Sequence, residues 1–230
     1  MLTRSQWSLE CTLVSALPSQ FTDPAFLATV NAELRDQSPQ AICRWAVSLG
    51  LRHIVTTSMG VNAGATLHAA VAADPDIPVV WIDTGFNLKD TYVTADRLAE
   101  QLALNLHVYS PIMTSERINA RLGGIPTLAE QEQHRWFTHA VKLEPFQRAL
   151  AEFDPGVWIT GIRAEETAHR AGLDIVTLDK RGMLKVAPFF YQTEQALENY
   201  LLLHNVPTCR HYFDPTKIES GRECGLHTAD

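Results

Sequence analysis

Arg52-His53-Ile54-Val55-Thr56-Thr57 runs directly into Ser58-Met59-Gly60-Val61-Asn62-Ala63-Gly64-Ala65-Thr66. The first six residues are rich in β-branched side chains and read as a strand. The next nine are small or polar and read as a loop, and a helical pattern through Leu67, Ala70 and Val71 follows. Working outward, the alternation repeats. Pro78-Val79-Val80-Trp81-Ile82-Asp83 is an apolar strand of the kind buried in parallel sheets, closed by Asp83-Thr84-Gly85. A helix over 89–102 and a strand over 104–109 come next. Residues 114–153 read as mostly helical, 157–162 as a strand, and 175–178 and 184–186 as strands around a turn at Arg181-Gly182. A last helix spans 193–204. On the N-terminal side, Asp23-Pro24 and Ser38-Pro39 each place a capping residue before proline at the first helical position, predicting helices over 24–35 and from 39 to Gly50. Strands alternating with helices at short spacing predict an α/β fold, a parallel twisted sheet flanked by helices. The chain divides into residues 1–204, an α/β domain with N-terminal helices, and an irregular C-terminal tail, 205–230.

Composition narrows the function. The chain has 230 residues, 46% hydrophobic and 20% charged, which excludes a disordered tail, a collagen-like fibre and a disulfide miniprotein. With no apolar run of about 18 residues, no membrane helix is expected. Arg4 and Glu10 do not fit a secretory signal. Nineteen Lys+Arg against 26 Asp+Glu give a net charge of −7, which argues against a general nucleic-acid binder. Any anionic ligand must then be met by a local cluster of cations. Cys11, Cys43, Cys209 and Cys224 form no CxxC pair. Their spacing fits neither zinc nor a disulfide framework, and a reducing cytoplasm is expected. The isolated histidines do not point to a metal site.

Four stretches carry possible chemistry. In the loop 58–66, small residues let backbone N–H groups approach an anion at a helix N-terminus, with Ser58 and Thr66 adding hydroxyls; a tight turn that binds nothing has the same composition. Asp83-Thr84-Gly85 stands at a strand's carboxyl end, where open α/β sheets bind ligands, although it also makes an ordinary turn. Gly161-Ile162-Arg163-Ala164-Glu165-Glu166-Thr167-Ala168-His169-Arg170 brings two arginines able to grip phosphate or sulfate, or a solvated face of Arg–Glu pairs. Lys142 and Lys185 are further cations, and Lys185, inside an apolar strand, needs a partner. Lastly, Gly221-Arg222-Glu223-Cys224-Gly225-Leu226-His227 sets a cysteine beside Arg222 and His227, which favour the thiolate; an incidental tail cysteine is the alternative. Cys43 fits a core position, and the role of Cys209, next to Arg210 and His211, stays open.

In this order the motifs resemble the phosphoadenylyl-sulfate (PAPS) reductase family of the PP-loop, adenine-nucleotide α-hydrolase-like superfamily. The resemblance rests on 58–63, Asp83-Thr84-Gly85, Lys142-Leu143-Glu144-Pro145, the arginine loop 161–170, Lys185-Val186-Ala187-Pro188 and above all Glu223-Cys224-Gly225-Leu226-His227. It implies a sulfonucleotide substrate, a nucleophilic cysteine on a mobile tail, thioredoxin or glutaredoxin as reductant, and a homodimer. Carried over by position, Ser58, Met59, Gly60 and Asn62 belong to the loop holding the sulfate-phosphate end, and Asp83, Thr84 and Gly85 line the adenosine pocket. Lys142, Arg163, Arg170 and Lys185 neutralise the anion, with Arg210, Lys217 or Arg222 standing in for the family's tail arginines. Cys224 is the nucleophile, with His227 beside it. One branch of the family reduces adenylyl sulfate (APS) with a four-iron cluster on paired cysteines. Phe137-Thr138-His139-Ala140-Val141, before Lys142, holds no Cys-Cys pair, so no cluster is expected and PAPS is favoured over APS. The link from the last helix to the cysteine is shorter than the family's. Rival readings are a cluster-free APS reductase, an ATP pyrophosphatase of the PP-loop type, and a nucleotide-binding homologue without turnover.

Overall fold

The computed structural model describes residues 17–217. Both N-terminal helices start where their caps predict. Asp23 accepts the Ala25 amide at 2.9 Å ahead of α1 (Pro24–Leu34), and Ser38 accepts the Ala41 amide at 3.3 Å ahead of α2 (Pro39–Ser48). The chain continues through β1 (His53–Thr57), α3 (Ala63–Val71), β2 (Pro78–Ile82), α4 (Lys89–Gln101) and β3 (Asn105–Tyr109). Then come α5 (Ser115–Leu122), α6 (Gln131–Thr138), a π-helical turn (His139–Leu143), α7 (Glu144–Phe153) and β4 (Val157–Ile159). The short α8 (Ala168–Ala171), β5 (Val176–Leu178), β6 (Leu184–Val186) and α9 (Glu194–Leu203) complete it.

The sheet order is β3-β2-β1-β4-β6-β5. Every pairing is parallel except β5 with β6, so the expected parallel sheet is mostly parallel. The turn at Arg181-Gly182 is tight enough to fold β5 and β6 into an antiparallel hairpin, with Gly182 at φ +81°. The strand expected over 157–162 stops pairing at Ile159. The Thr160 amide still donates to the Val186 carbonyl at 2.9 Å, and the chain then leaves the sheet and carries Arg163 outward. At Gly161 a Cβ would sit 3.1 Å from Thr66 Oγ1, so the missing side chain lets this loop lie against α3.

Two apolar layers cover the sheet. One packs Val55, Val79 and Ile159 against residues of α2, α3, α4 and α9, including Cys43, Leu67, Leu98 and Leu197. The other packs Ile54, Val80 and Trp158 against Phe146 and Ala149 of α7. The connections β1–α3–β2 and β2–α4–β3 therefore lie on one face, while the return from β3 to β4 crosses the other. Strand order reverses between β1 and β4, and loops leaving those strands diverge there, which opens a crevice at their carboxyl ends.

Beyond α9 the residues 205–217, here called the strap, run back across that crevice. Thr208 Oγ1 donates to the Val61 carbonyl at 2.7 Å. Asp90, in the first turn of α4, accepts the Arg210 and His211 amides at 2.8 and 2.9 Å. A Cβ on Gly64 would lie 2.6 Å from Val206 Cγ1 and 2.9 Å from the Pro207 carbonyl oxygen. Only glycine lets the strap lie that close to α3.

Candidate active site

The crevice holds a cavity of 430 Å³, within the roughly 300–1,000 Å³ typical of small-molecule sites. Its walls come from the loops after β1, β2 and β4, from the π-helical turn, and from the strap. Ser58, Gly60, Asn62, Thr84, Lys142, Arg163 and Arg170 all line it. Residues far apart in sequence, singled out as lining either the anion site or the adenosine pocket, thus meet at one strand-end rim. Met59, Asp83, Gly85 and Lys185 are not among the lining residues.

Each of those four has a visible place. Met59 takes a left-handed φ of 53° and is fully buried in the core. Its inward turn stores backbone strain of the kind found at ligand loops, and it sends the side chains of Ser58 and Asn62 the other way, to the cavity. Asp83 Oδ1 accepts from the Gly85 amide at 3.0 Å, Asn87 Nδ2 at 2.8 Å and the Tyr92 hydroxyl at 2.9 Å. Asp83 and Gly85 therefore shape the turn, and it is Thr84 and Asn87 that reach the cavity wall. Burial and the bond to Asp83 push the Tyr92 phenol up to about 12. Lys185 is buried opposite Trp158 in the β4–β6 register, its ammonium 5.5 Å from that indole ring, a cation–π contact below the site.

The cavity cations are buried and held by carboxylates. Arg163 bonds Glu165 through Nη1 and Glu194 through Nη2, and Arg170 bonds Glu166 through Nη1. Lys142 Nζ lies 2.5 Å from Asp214 Oδ2 and 3.4 Å from Thr216 Oγ1. Both sequence readings of the arginine segment thus meet: Arg–Glu pairs form, but with Arg163 and Arg170 only 6% and 3% exposed they are not a solvated face. Glu194 Oε1 also accepts from Asn62 Nδ2 at 2.9 Å, so one carboxylate ties the β1 loop to the β4 loop. Burial would raise its pKa, but the Asn62 hydrogen bond and the Arg163 charge outweigh it and hold Glu194 below the carboxylate value of 4.5. Four cations (Lys142, Arg163, Arg170, Lys217) and three carboxylates (Glu166, Glu194, Asp214) line the cavity. A chain of net charge −7 therefore gathers four of its cations at this rim.

Glu194, Tyr212 and Asp214 were not anticipated, whereas Lys217, one of three residues offered in place of a tail arginine, does line the cavity. Glu194 gave only the signature of a helix start after Thr193, and its partners lie in two distant loops. The strap residues lacked periodicity, although Asp214-Pro215 marks a turn. Cys43 is buried on α2, and burial pushes its thiol up to about 12. Cys209 is also fully buried, its thiol donating to the His211 carbonyl at 3.3 Å, with Asp90 Oδ2 at 3.7 Å. Arg222, Cys224 and His227 lie outside the described residues. Among the described residues no group of three or more His, Cys, Asp or Glu is arranged to hold a metal ion, and no helix is long and apolar enough to cross a membrane.

Residues 52–215 match the model of the phosphoadenosine phosphosulfate reductase domain. The chain belongs to this family. A phosphoadenosine 5′-phosphosulfate reductase of a Synechococcus species is 36% identical over 182 residues, covering 79% of this chain and 78% of that protein. One from Pectobacterium atrosepticum is 32% identical over 247 residues, covering 97% and 99%. The PAPS reductase of Candida auris, solved as a phosphate complex, superposes with a TM-score of 0.70 over 81% of this chain and 89% of that one, at 24% identity. FMN adenylyltransferase of Candida glabrata superposes with a TM-score of 0.50 at 15% identity, over 69% and 50%. These two likenesses establish the shared α/β fold. The family is one of oxidoreductases of sulfate assimilation.

Proposed function

We propose that the chain reduces PAPS to sulfite and adenosine 3′,5′-bisphosphate, in the cytoplasm and as a homodimer, with thioredoxin or glutaredoxin as electron donor. The observation that carries this reading is the meeting of Lys142, Arg163 and Arg170 in one cavity at the β1/β4 crevice, beside the β1 loop and the N-terminus of α3. A thiolate approaching a sulfonate meets strong repulsion, and fixed cations around the anion cancel it. The relatives' names, at 32–36% identity, supply the substrate class.

Cys224 is the nucleophile. Its Sγ bonds to the sulfur of the sulfonate, the bond from that sulfur to the phosphate oxygen breaks, and adenosine 3′,5′-bisphosphate leaves with the electron pair. A carrier thiolate then attacks Sγ of the S-sulfocysteine and expels sulfite. The carrier's second thiol resolves the mixed disulfide, so the carrier is oxidised by two electrons and Cys224 is restored. Cys224 follows Lys217 by seven positions, a fully extended reach of roughly 25 Å, and Lys217 itself lines the cavity. The shortened link is therefore long enough for the thiol to enter. Arg222 and His227 favour its ionised form. No iron–sulfur cluster belongs to this reading, because four thiolate ligands are needed while Cys43 and Cys209 are both buried in separate packing.

Incubating the protein with PAPS and with APS separately and reading intact mass tests the proposal. A sulfonate adduct on Cys224 with PAPS supports it. An adduct with APS alone moves the substrate to APS, and no adduct, with pyrophosphate released from ATP and Mg²⁺, replaces the reaction. The Cys224→Ser variant is expected to bind adenosine 3′,5′-bisphosphate and release no sulfite.

A further inference from the structure

We infer that Asp214 is a built-in counter-anion of the site: it holds Lys142 until a ligand anion replaces it, and that replacement frees the strap between His211 and Lys217. The inference rests on the cavity being an anion site, and not on the redox step. Lys142 and Asp214 have side chains only 9% and 7% exposed. A buried ammonium without a counter-charge is strongly unfavourable, and Asp214 supplies that counter-charge from the chain itself. Asp214 is shaped for the part. Its Oδ1 accepts the Thr216 amide at 3.0 Å and the Thr216 hydroxyl at 2.6 Å, which leaves Oδ2 for the lysine.

The other cavity carboxylates are placed differently. Glu166 comes from the same segment as the arginine it holds, and Glu194 also carries Asn62. Asp214 comes from outside the sheet and its helices, on a segment that also fills space in the cavity. Tyr212 lies over the β1 loop, its ring carbons 3.3 Å from where a Gly60 Cβ would stand, and Pro215 and Lys217 line the same wall. A phosphate or sulfonate at Lys142 would face the Asp214 carboxylate across one ammonium, and two anions at that separation repel. The strap's other end is anchored independently, through Asp90 to the amides of Arg210 and His211. The release is therefore confined to the stretch beyond His211, which leads on toward Cys224.

The test uses inorganic phosphate as probe and needs no turnover. Asp214→Asn keeps the side-chain oxygen that accepts from Thr216 and removes the charge. It is expected to bind phosphate about tenfold more tightly than the unaltered chain, the size expected for losing a charge-assisted competitor. Lys142→Gln is expected to weaken binding, because it removes the cation for which the two anions compete. Equal or weaker phosphate binding by Asp214→Asn overturns the inference and makes Asp214 an orienting partner of the lysine. A second measurement needs no variant. Amide exchange of the unaltered chain should speed up at Thr216 and Lys217 on adding phosphate and stay slow at Arg210 and His211; protection at Thr216 and Lys217, or no change there, also overturns it. A chain that loosens its strap with phosphate but yields no sulfite keeps this inference and loses the reductase reading, and the converse result does the reverse.

Discussion

The arginines and the lysine of the cavity are held by two different kinds of partner. Arg163 and Arg170 are gripped by Glu165, Glu166 and Glu194, all on the loop after β4 or at the start of α9. Lys142 is gripped by a residue 72 positions later in the chain, on a segment that belongs to no helix or strand. The arginine cluster is part of the frame. It fixes the β4 loop to α9 and, through Glu194 and Asn62, to the β1 loop. The lysine pair joins the frame to a detachable piece. A buried charge held within the scaffold shapes a site, and one held by a terminal segment couples that segment to the site's occupancy.

That contrast can be broken from the side with the larger effect first. Arg163→Met leaves Glu165 and Glu194 facing each other without their cation. Both are about half exposed (43% and 50%), so the loss falls short of that for a fully buried pair, at about 2 kcal/mol of global stability. Thermal unfolding should show a single transition at lower temperature; an unchanged midpoint would mean that the cluster is not part of the frame. Asp90→Ala removes the acceptor for two strap amides. The global midpoint is expected to hold while exchange at Arg210 and His211 quickens several-fold, as local opening without global unfolding. A fall in the midpoint like that of Arg163→Met would erase the distinction between frame and strap.

The smallest effect is in acid. Burial would raise the Asp214 pKa, but the charge and hydrogen bond of Lys142, with the hydrogen bonds of Thr216, outweigh it and hold the carboxyl below its ordinary 3.8. A carboxyl depressed on folding contributes stability that is complete above its unfolded value and is lost as pH falls through the folded one. Protection of Thr216 and Lys217, corrected for intrinsic exchange rates, should therefore be level from pH 7 to 5 and decline only below 3.8. A decline centred near pH 6 would point to a histidine instead.

How much of this was legible follows from the range of the interactions. The strand–loop–helix at 52–71 reads correctly because β-branching, small residues and apolar periodicity are local signals, and the cap at Asp23-Pro24 is set by neighbours in sequence. The gathering of Ser58, Thr84, Lys142 and Arg163 was foreseen through the resemblance and through the habit of α/β sheets of binding at strand ends. What stayed hidden depends on pairs distant in sequence. Nothing at Glu194 announces Asn62 or Arg163, and nothing at Asp214 announces Lys142. The reversal of β5 is legible only through the turn at Arg181-Gly182, because strands of three residues carry too little pattern to show direction. Asp83 illustrates a third case, since its residue type fits a ligand contact, yet its oxygen is taken up by Gly85, Asn87 and Tyr92.

The Trp158 indole donates to Thr56 Oγ1 at 2.7 Å and packs against Phe146 with ring centroids 5.0 Å apart, and both of those residues face the cavity. A chromophore sealed in the core thus touches two walls of the pocket while a lysine charge sits over its ring. In a variant that keeps Trp158 alone of the five tryptophans, its emission is expected to shift when a ligand enters the pocket, giving an optical gauge without any attached dye.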